Sequence, residues 1–303
     1  MPIIEKPLVS IGLAVYNSSE RIRRALDCLL AQSYGNFELI ISDDASADDT
    51  PLICKDYARR DSRIRFIRQP HNLGRKENFR FLARAARGQY MMWAADDDWW
   101  DPSYLETLVH ALESNAGYDL AMSSFHRILR STGARYDKFI LKSDQSTTNQ
   151  SYARVFTRLV NDELVHIFFN GLWRTEFFQR LLRRSPPNTV KWDRTVMAEA
   201  ALGTHFYSVE PVLFIKTLQQ VSIKIRHQLD PERNLHKQNF RFNRYVFVML
   251  YYILTSRVIP LRRKFLGLVL WFSFIWRSRR RIFWVALGDL RKIMKKNFLY
   301  KIF

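Results

Sequence analysis

The sequence predicts an α/β fold: a mostly parallel β-sheet with helices on both faces, followed by a basic helical region. Short apolar runs rich in β-formers alternate with amphipathic segments over the first 125 residues. Alternation of this kind builds a parallel sheet covered on both sides. Each apolar run ends in polar or acidic residues, and ligands bind open α/β sheets at the carboxyl ends of their strands. Charge is segregated as well. The chain carries a net +19, and Arg226 to Phe303 holds 18 Lys or Arg against three acids. With 303 residues, 47% of them hydrophobic, the chain can bury a sizeable core in one or two domains.

The elements follow in order. Leu8 to Val15 reads as a buried strand, and Tyr16-Asn17-Ser18-Ser19-Glu20 as a loop of helix-capping residues. Ile22, Ala25, Leu26, Leu29 and Leu30 fall on one face of a helix. Phe37 to Ser42 is a second strand, ending in Asp43-Asp44-Ala45-Ser46; Thr50-Pro51 then opens a helix with Pro in its first turn. Ile64 to Gln69 is a third strand. The loop His71 to Lys76 leads to a helix from Glu77 to Ala86, and Tyr90 to Ala94 is a fourth strand. A helix from about Pro102 to Asn115 and a strand from Leu120 to Phe125 complete this part. Further on, Ser151 to Val160 and Thr175 to Arg184 read as helices. Pro186-Pro187-Asn188 reads as a loop and Lys191-Trp192-Asp193-Arg194 as the start of a helix ending near Gly203. Thr204 to Val209 and Val212 to Lys216 read as two strands. Cys28 and Cys54 occupy apolar helix positions and read as buried structural thiols.

The fourth strand ends in Asp96-Asp97-Asp98. Carboxylates this close raise one another's pKa unless a cation lies among them. A hard divalent cation meets that need, and Mg²⁺ or Mn²⁺ held by one or two carboxylates usually also binds substrate phosphates. A plain acidic turn before a helix, with Asp101 capping at Pro102, is the alternative for the triplet alone. The polar ends Asn17, Asp43-Asp44, Gly74-Arg75 and Asp96 to Asp98 converge on one sheet edge, which four unrelated turns would not do. Neither Gly-x-Gly-x-x-Gly nor Gly-x-x-x-x-Gly-Lys occurs, so a standard dinucleotide or P-loop site is not supported.

Val9-Ser10-Ile11-Gly12-Leu13-Ala14-Val15-Tyr16-Asn17, Ser42-Asp43-Asp44-Ala45-Ser46-Ala47-Asp48-Asp49-Thr50 and Asp96-Asp97-Asp98-Trp99-Trp100-Asp101-Pro102 resemble the N-terminal half of the family 2 glycosyltransferases. The resemblance spans residues 7 to about 125 and returns at Lys191 to Lys216. It implies the GT-A fold, a nucleotide-sugar donor with a UDP-sugar favoured, Mg²⁺ or Mn²⁺, and inversion at the anomeric carbon. By the same resemblance, Ala14, Tyr16 and Asn17 lie along the nucleotide. Asp44 accepts the ring N–H of a uracil or thymine, and Arg75 or Lys76 serves base or phosphates. Asp96 lies by the ribose and diphosphate, and Asp97, with Asp98, binds the metal. Asp43 is either a turn residue or a ligand contact. Asp193 is the catalytic base, which a helix-capping role would not exclude. Two departures stand out. The family's Asp-x-Asp-Asp begins here at Ala95, and its late His is replaced by Leu218 after Lys216-Thr217. His205 and His227 are the candidate substitutes.

These roles imply a domain over 1–225, with a nucleotide-sugar half at 7–125 and an acceptor half at 126–225 bordered by Asn170-Gly171-Leu172-Trp173. A basic region follows over 226–303. Met1 to Lys6 lacks a charged-then-apolar signal pattern, so the catalytic part is expected in the cytoplasm. In the basic region Tyr245 to Ser256 and Phe265 to Trp276 are uncharged runs of twelve residues, and Ile282 to Gly288 is shorter. Each falls short of the ~18–20 residues of a spanning helix. With Trp271, Trp276 and Trp284 beside basic clusters, the region suits peripheral attachment to an anionic membrane on the inner face of the cell membrane. The implied acceptor is a glycan or a polyprenyl-linked one, and no nucleic acid is expected. The competing classes are a nucleotidyltransferase and a non-catalytic basic module for membrane or nucleic acid. The first should carry a Gly/Arg/Lys-rich first loop, which Ala14-Val15-Tyr16-Asn17 is not. The second leaves the four polar strand ends unexplained.

Overall fold

The computed structural model describes residues 7–130, 135–139, 168–184, 192–218, 247–273 and 275–276. Two compact units form: one from Met1–Ser151, Leu164–Arg184 and Thr204–Gln220, the other from Tyr152–Glu163, Ser185–Gly203 and Val221–Phe303.

The first unit is built on a mixed sheet. Its strands are β1 (Val9–Val15), β2 (Phe37–Asp43), β3 (Ile64–Arg68), β4 (Tyr90–Ala94), β5 (Trp99–Trp100), β6 (Tyr118–Leu129), β7 (Arg135–Phe139), β8 (Leu172–Arg174) and β9 (His205–Leu218). Among the described residues the order is β3-β2-β1-β4-β8-β6-β9-β5, with β7 beside β6. The strands from β3 to β4 are all parallel. Beyond β4 the sheet is mixed: β8 runs antiparallel to both β4 and β6, and β9 runs parallel to β6 but antiparallel to β5. The helices are α1 (Ile22–Leu30), α2 (Thr50–Arg60), α3 (Arg75–Ala85), α4 (Tyr104–Glu113) and α5 (Thr175–Leu182).

Burial explains the sequence pattern. Every residue of β4 is buried, as are six of the seven in β1, because layers cover both faces. The Trp93 ring lies 4.6–5.2 Å from those of Phe79, Phe169 and Phe178, filling the layer over β4. At Gly88, a Cβ would come within 2.5 Å of the Leu8 carbonyl oxygen and 2.7 Å of the Ser10 nitrogen. Only glycine allows the chain to enter β4 that close to β1. Both cysteines are free, Cys54 buried and Cys28 partly so. Burial pushes the Cys54 thiol up to about 12, which leaves it inert.

The observed boundaries differ from the sequence reading at informative places. The two strands expected at 204–216 are one strand, β9, whose pairing with β6 shifts register around Glu210-Pro211. Proline cannot donate to the ladder, so the strand bulges there and continues. The Asp101-Pro102 helix start moves on to Tyr104, after Ser103. Asp101 instead accepts from the Ser103 N–H at 2.9 Å and the Ser103 hydroxyl at 2.6 Å. Helix α3 starts at Arg75, two residues before the expected Glu77, which puts Arg75 and Lys76 in its first turn. The helix expected at 151–160, together with His227 and Trp284, lies outside the described residues.

In the second unit, α6 (Trp192–Gly203) packs with helical residues 247–255 (α7) and 261–273 (α8). Ala198, Leu202, Met249, Ile253, Ile259 and Trp271 form its buried cluster. Trp271, grouped by sequence with the interfacial aromatics, is a core residue.

Candidate active site

Parallel pairing sets the site. Val15 pairs with Asp43, and Leu13 with Ala94, so the carboxyl ends of β1, β2 and β4 fall at one edge. The loop after β1 is stitched to the loop after β2. The Asn17 N–H donates to the Ser46 hydroxyl and the Ala47 N–H to Asn17 Oδ1, both at 2.9 Å, and the Ser18 N–H donates to the Thr50 hydroxyl at 2.7 Å. Asp48 accepts from the Ser19 and Thr50 N–H groups at 3.0 Å and from the Thr50 hydroxyl at 2.5 Å. Burial opposes the charge on Asp48 most strongly, but these hydrogen bonds together hold its carboxyl down at about 2. Two non-glycine residues here have left-handed backbone, Asn17 at φ 48° and Ala45 at φ 60°. Asparagine tolerates this region, whereas alanine is strained there, and such strain concentrates at ligand sites. Tyr16 is 50% exposed above this frame, and Ala14 beneath it is partly exposed.

Asp44 is buried, and its two oxygens accept from the N–H groups of Leu73 at 2.7 Å and Gly74 at 3.0 Å. It thereby fixes the loop that delivers Arg75 and Lys76. Arg75 is exposed and lies over the Phe79 ring at 5.7 Å. Burial, partly offset by Glu77, lowers the Lys76 ammonium. Asp43 is fully buried, 3.5 Å from the Arg68 guanidinium, and accepts from the Ser46 N–H at 3.3 Å. In this structure it holds the turn.

The triplet carries its own counter-charges, one for each carboxylate. Arg21 lies 2.5 Å from Asp96, which also accepts from the Ser18 hydroxyl. Arg130 lies 2.5 Å from Asp97, and Lys216 lies 2.6 Å from Asp98. Asp98 is the buried member and accepts further from the Thr217 N–H at 3.0 Å and the Asn170 side-chain amide at 3.2 Å. Burial pushes its carboxyl up to about 6 against the pull of Lys216, with Asp97 adding to the rise. Asp98 therefore ties the turn between β4 and β5 to the end of β9 and to the segment that leads into β8. Asp96 and Asp97 stay partly exposed. Among the described residues, no three His, Cys, Asp or Glu side chains gather as a metal cage. Asp97, partly exposed and paired with Arg130, fits the other way of holding Mg²⁺ or Mn²⁺, as a single carboxylate shared with a substrate diphosphate.

Sequence reasoning missed Arg21, Arg130 and the bond from Asn170 to Asp98. An arginine on a helix face or at a strand end reads as a solvated charge, and only the fold shows its partner. His205 is the first residue of β9, ring to ring with Tyr118 at 5.7 Å, at the opposite end of the strand from Lys216. Asp193 lies in the first turn of α6, partly exposed, in the second unit.

Residues 10–181 match the family described as Glycosyl transferase family 2. The chain belongs to this family. This family 2 glycosyltransferase is 28% identical to EpsH of Bacillus subtilis (strain 168) over 226 residues, 74% of this chain and 61% of EpsH. Its fold is similar to S. aureus TarS 1-349 in complex with UDP-GlcNAc, with a TM-score of 0.60 and 15% identity over 84% of this chain and 69% of that one. It is also similar to the mannosyltransferase PcManGT from Pyrobaculum calidifontis in complex with GDP-Man and Mn²⁺. There the TM-score is 0.51 and the identity 14%, over 98% and 84% of the two chains. At these identities the structural likenesses show the fold, a glycosyltransferase GT-A architecture, and no more.

Proposed function

We propose that this glycosyltransferase moves a sugar, with inversion, from a UDP- or dTDP-sugar to a hydroxyl of a lipid-linked or polysaccharide acceptor in cell-surface glycan synthesis. The observation that carries the proposal is the stitched carboxyl edge of β1, β2 and β4, where buried Asp44 underlies the exposed Tyr16 loop and Asp97 borders the same edge. The Tyr16 ring offers a surface for the base, and the free lone pairs of Asp44 suit a ring N–H of uracil or thymine. Arg75 and Lys76 take the diphosphate, and Asp96 the ribose side. Asp97 is the ligand for Mg²⁺ or Mn²⁺, which supplies charge stabilisation to the departing nucleoside diphosphate. Asp98 supports Asp97 by fixing the turn. Asp193 takes the proton of the acceptor hydroxyl. A single base that acts on the acceptor without a covalent sugar intermediate gives inversion through a cationic, sugar-like transition state. The proposed location is peripheral, on the cytoplasmic face of the membrane that carries a lipid-linked acceptor.

A donor-hydrolysis screen tests this. UDP- or dTDP-sugars should be hydrolysed slowly with Mn²⁺ or Mg²⁺, and excess chelator should stop the reaction. Asp97→Asn should do the same with an unchanged melting temperature. Full activity in chelator sinks the metal assignment, and equal use of GDP-sugars sinks the pyrimidine site.

A further inference from the structure

The second unit exposes apolar surface that its own packing does not explain. In α7, Phe247, Tyr251 and Leu254 are exposed at helical spacing, whereas Met249 and Ile253 enter the buried cluster. In α8, Leu261, Phe265, Val269 and Phe272 recur every three or four residues, and Trp276 continues the spacing just beyond it, with Phe265 at 72% and Trp276 at 68% exposure. Trp271 of α8 turns inward to the cluster, and Gly267 sits against Leu202 and Ile253. Each helix therefore gives one side to the core and turns a second apolar side outward. An apolar side left outside the core calls for a covering surface. No helix among the described residues is long and apolar enough to cross a membrane.

The charge of the surrounding sequence selects the occupant. From Arg233 to Gly288 the sequence has no Asp or Glu, and it has twelve Lys or Arg. Arg257 and Arg262 flank the stripes as exposed side chains. A second copy would bring like charges together around the same apolar patch. A nucleic acid would use the arginines and leave the aromatics in water. An anionic bilayer satisfies both, since basic amphipathic helices lie in its headgroup plane with aromatic side chains buried at the acyl boundary. We propose that the outer stripes of α7 and α8 insert in-plane into an anionic lipid surface, with Arg257 and Arg262 at the headgroups. This gives the peripheral location proposed above a defined surface, and it does not depend on the catalytic assignments.

The test uses the full chain and vesicles of phosphatidylcholine with or without phosphatidylglycerol. Wild type should co-sediment with the anionic vesicles at low salt and weakly with neutral ones. The triple variant Phe265→Gln, Phe272→Gln, Trp276→Gln alters only exposed positions. It should lower the partition coefficient about tenfold or more while donor hydrolysis stays unchanged. Arg257→Gln with Arg262→Gln should remove much of the salt-sensitive part. Wild type remaining in the supernatant overturns the proposal. So does a triple variant that binds like wild type, one that turns a dimer into a monomer, or RNA that displaces the vesicles. If the triple variant does not melt cooperatively, quenching by brominated lipid decides. Wild type should be quenched more than Trp276→Phe, and equal quenching overturns the proposal. Loss of donor hydrolysis with intact vesicle binding counts against the catalytic reading alone.

Discussion

Lys216 illustrates how one side chain can decide whether a carboxylate belongs in a core. Its ammonium lies 2.6 Å from Asp98, which has no exposed side-chain surface. Removing one partner of such a pair leaves an uncompensated buried charge and costs about 3–5 kcal/mol. Lys216→Met should therefore unfold at clearly lower denaturant, and adding Asp98→Asn to the same chain should recover much of the loss. Unchanged denaturation of the single variant would show that Asp98 carries no charge there. Asp193→Asn addresses the chemistry: turnover should fall roughly 10²–10⁴-fold, the usual contribution of a positioned general base, with donor affinity kept. A collapse of donor affinity with turnover retained would make Asp193 a structural cap. Legibility differs sharply among these residues. Acids that close an apolar strand have few uses, so Asp44 and Asp96 to Asp98 stand out in the sequence. Their partners do not: Arg21, Arg130 and Asn170 lie 75, 33 and 72 residues from the carboxylates that they meet, and no local pattern encodes that.

The start of α2 shows what an element owes to one acid. Asp48 gathers the Ser19 N–H and both the N–H and hydroxyl of Thr50, and so joins the first loop to the second helix. Its carboxyl is held at about 2, below the ordinary 3.8. The resulting stability is complete above that ordinary value and is lost as pH falls through about 2. The melting-temperature gap between wild type and Asp48→Asn should thus be constant from pH 7 to 5 and should narrow toward pH 2. A gap independent of acid would place the stabilisation elsewhere. Strands β1 to β4 were legible as apolar runs closed by polar residues, and helices α1 to α4 because each is long enough to display its period. Strands β5 and β8 span two and three residues, too short for any alternation, and Glu210-Pro211 made one long strand look like two.

At the scale of the molecule, the charge map was legible, because twelve bases without an acid need only counting, but the packing under α6 was not. That helix buries Ala198 and Leu202 against Met249, Ile253, Ile259 and Trp271, partners that a chain ending at Arg226 lacks. Such a chain should melt lower and lose acceptor-directed transfer even though Asp44, Asp97 and Asp193 all remain. Transfer at the full rate would show that α6 stands without the C-terminal helices. Time enters here too. Asp98 and Lys216 are 118 residues apart. At ~5–20 residues per second of synthesis, the lysine follows the aspartate off the ribosome by roughly 6–24 s. Until then Asp98 cannot be buried at low cost, and β5 and β6 wait for the strand that lies between them. The half of the sheet from β3 to β4, though made first, is joined to a finished acidic turn only when β9 arrives, so a nascent chain stalled before residue 216 should remain open to protease at that turn.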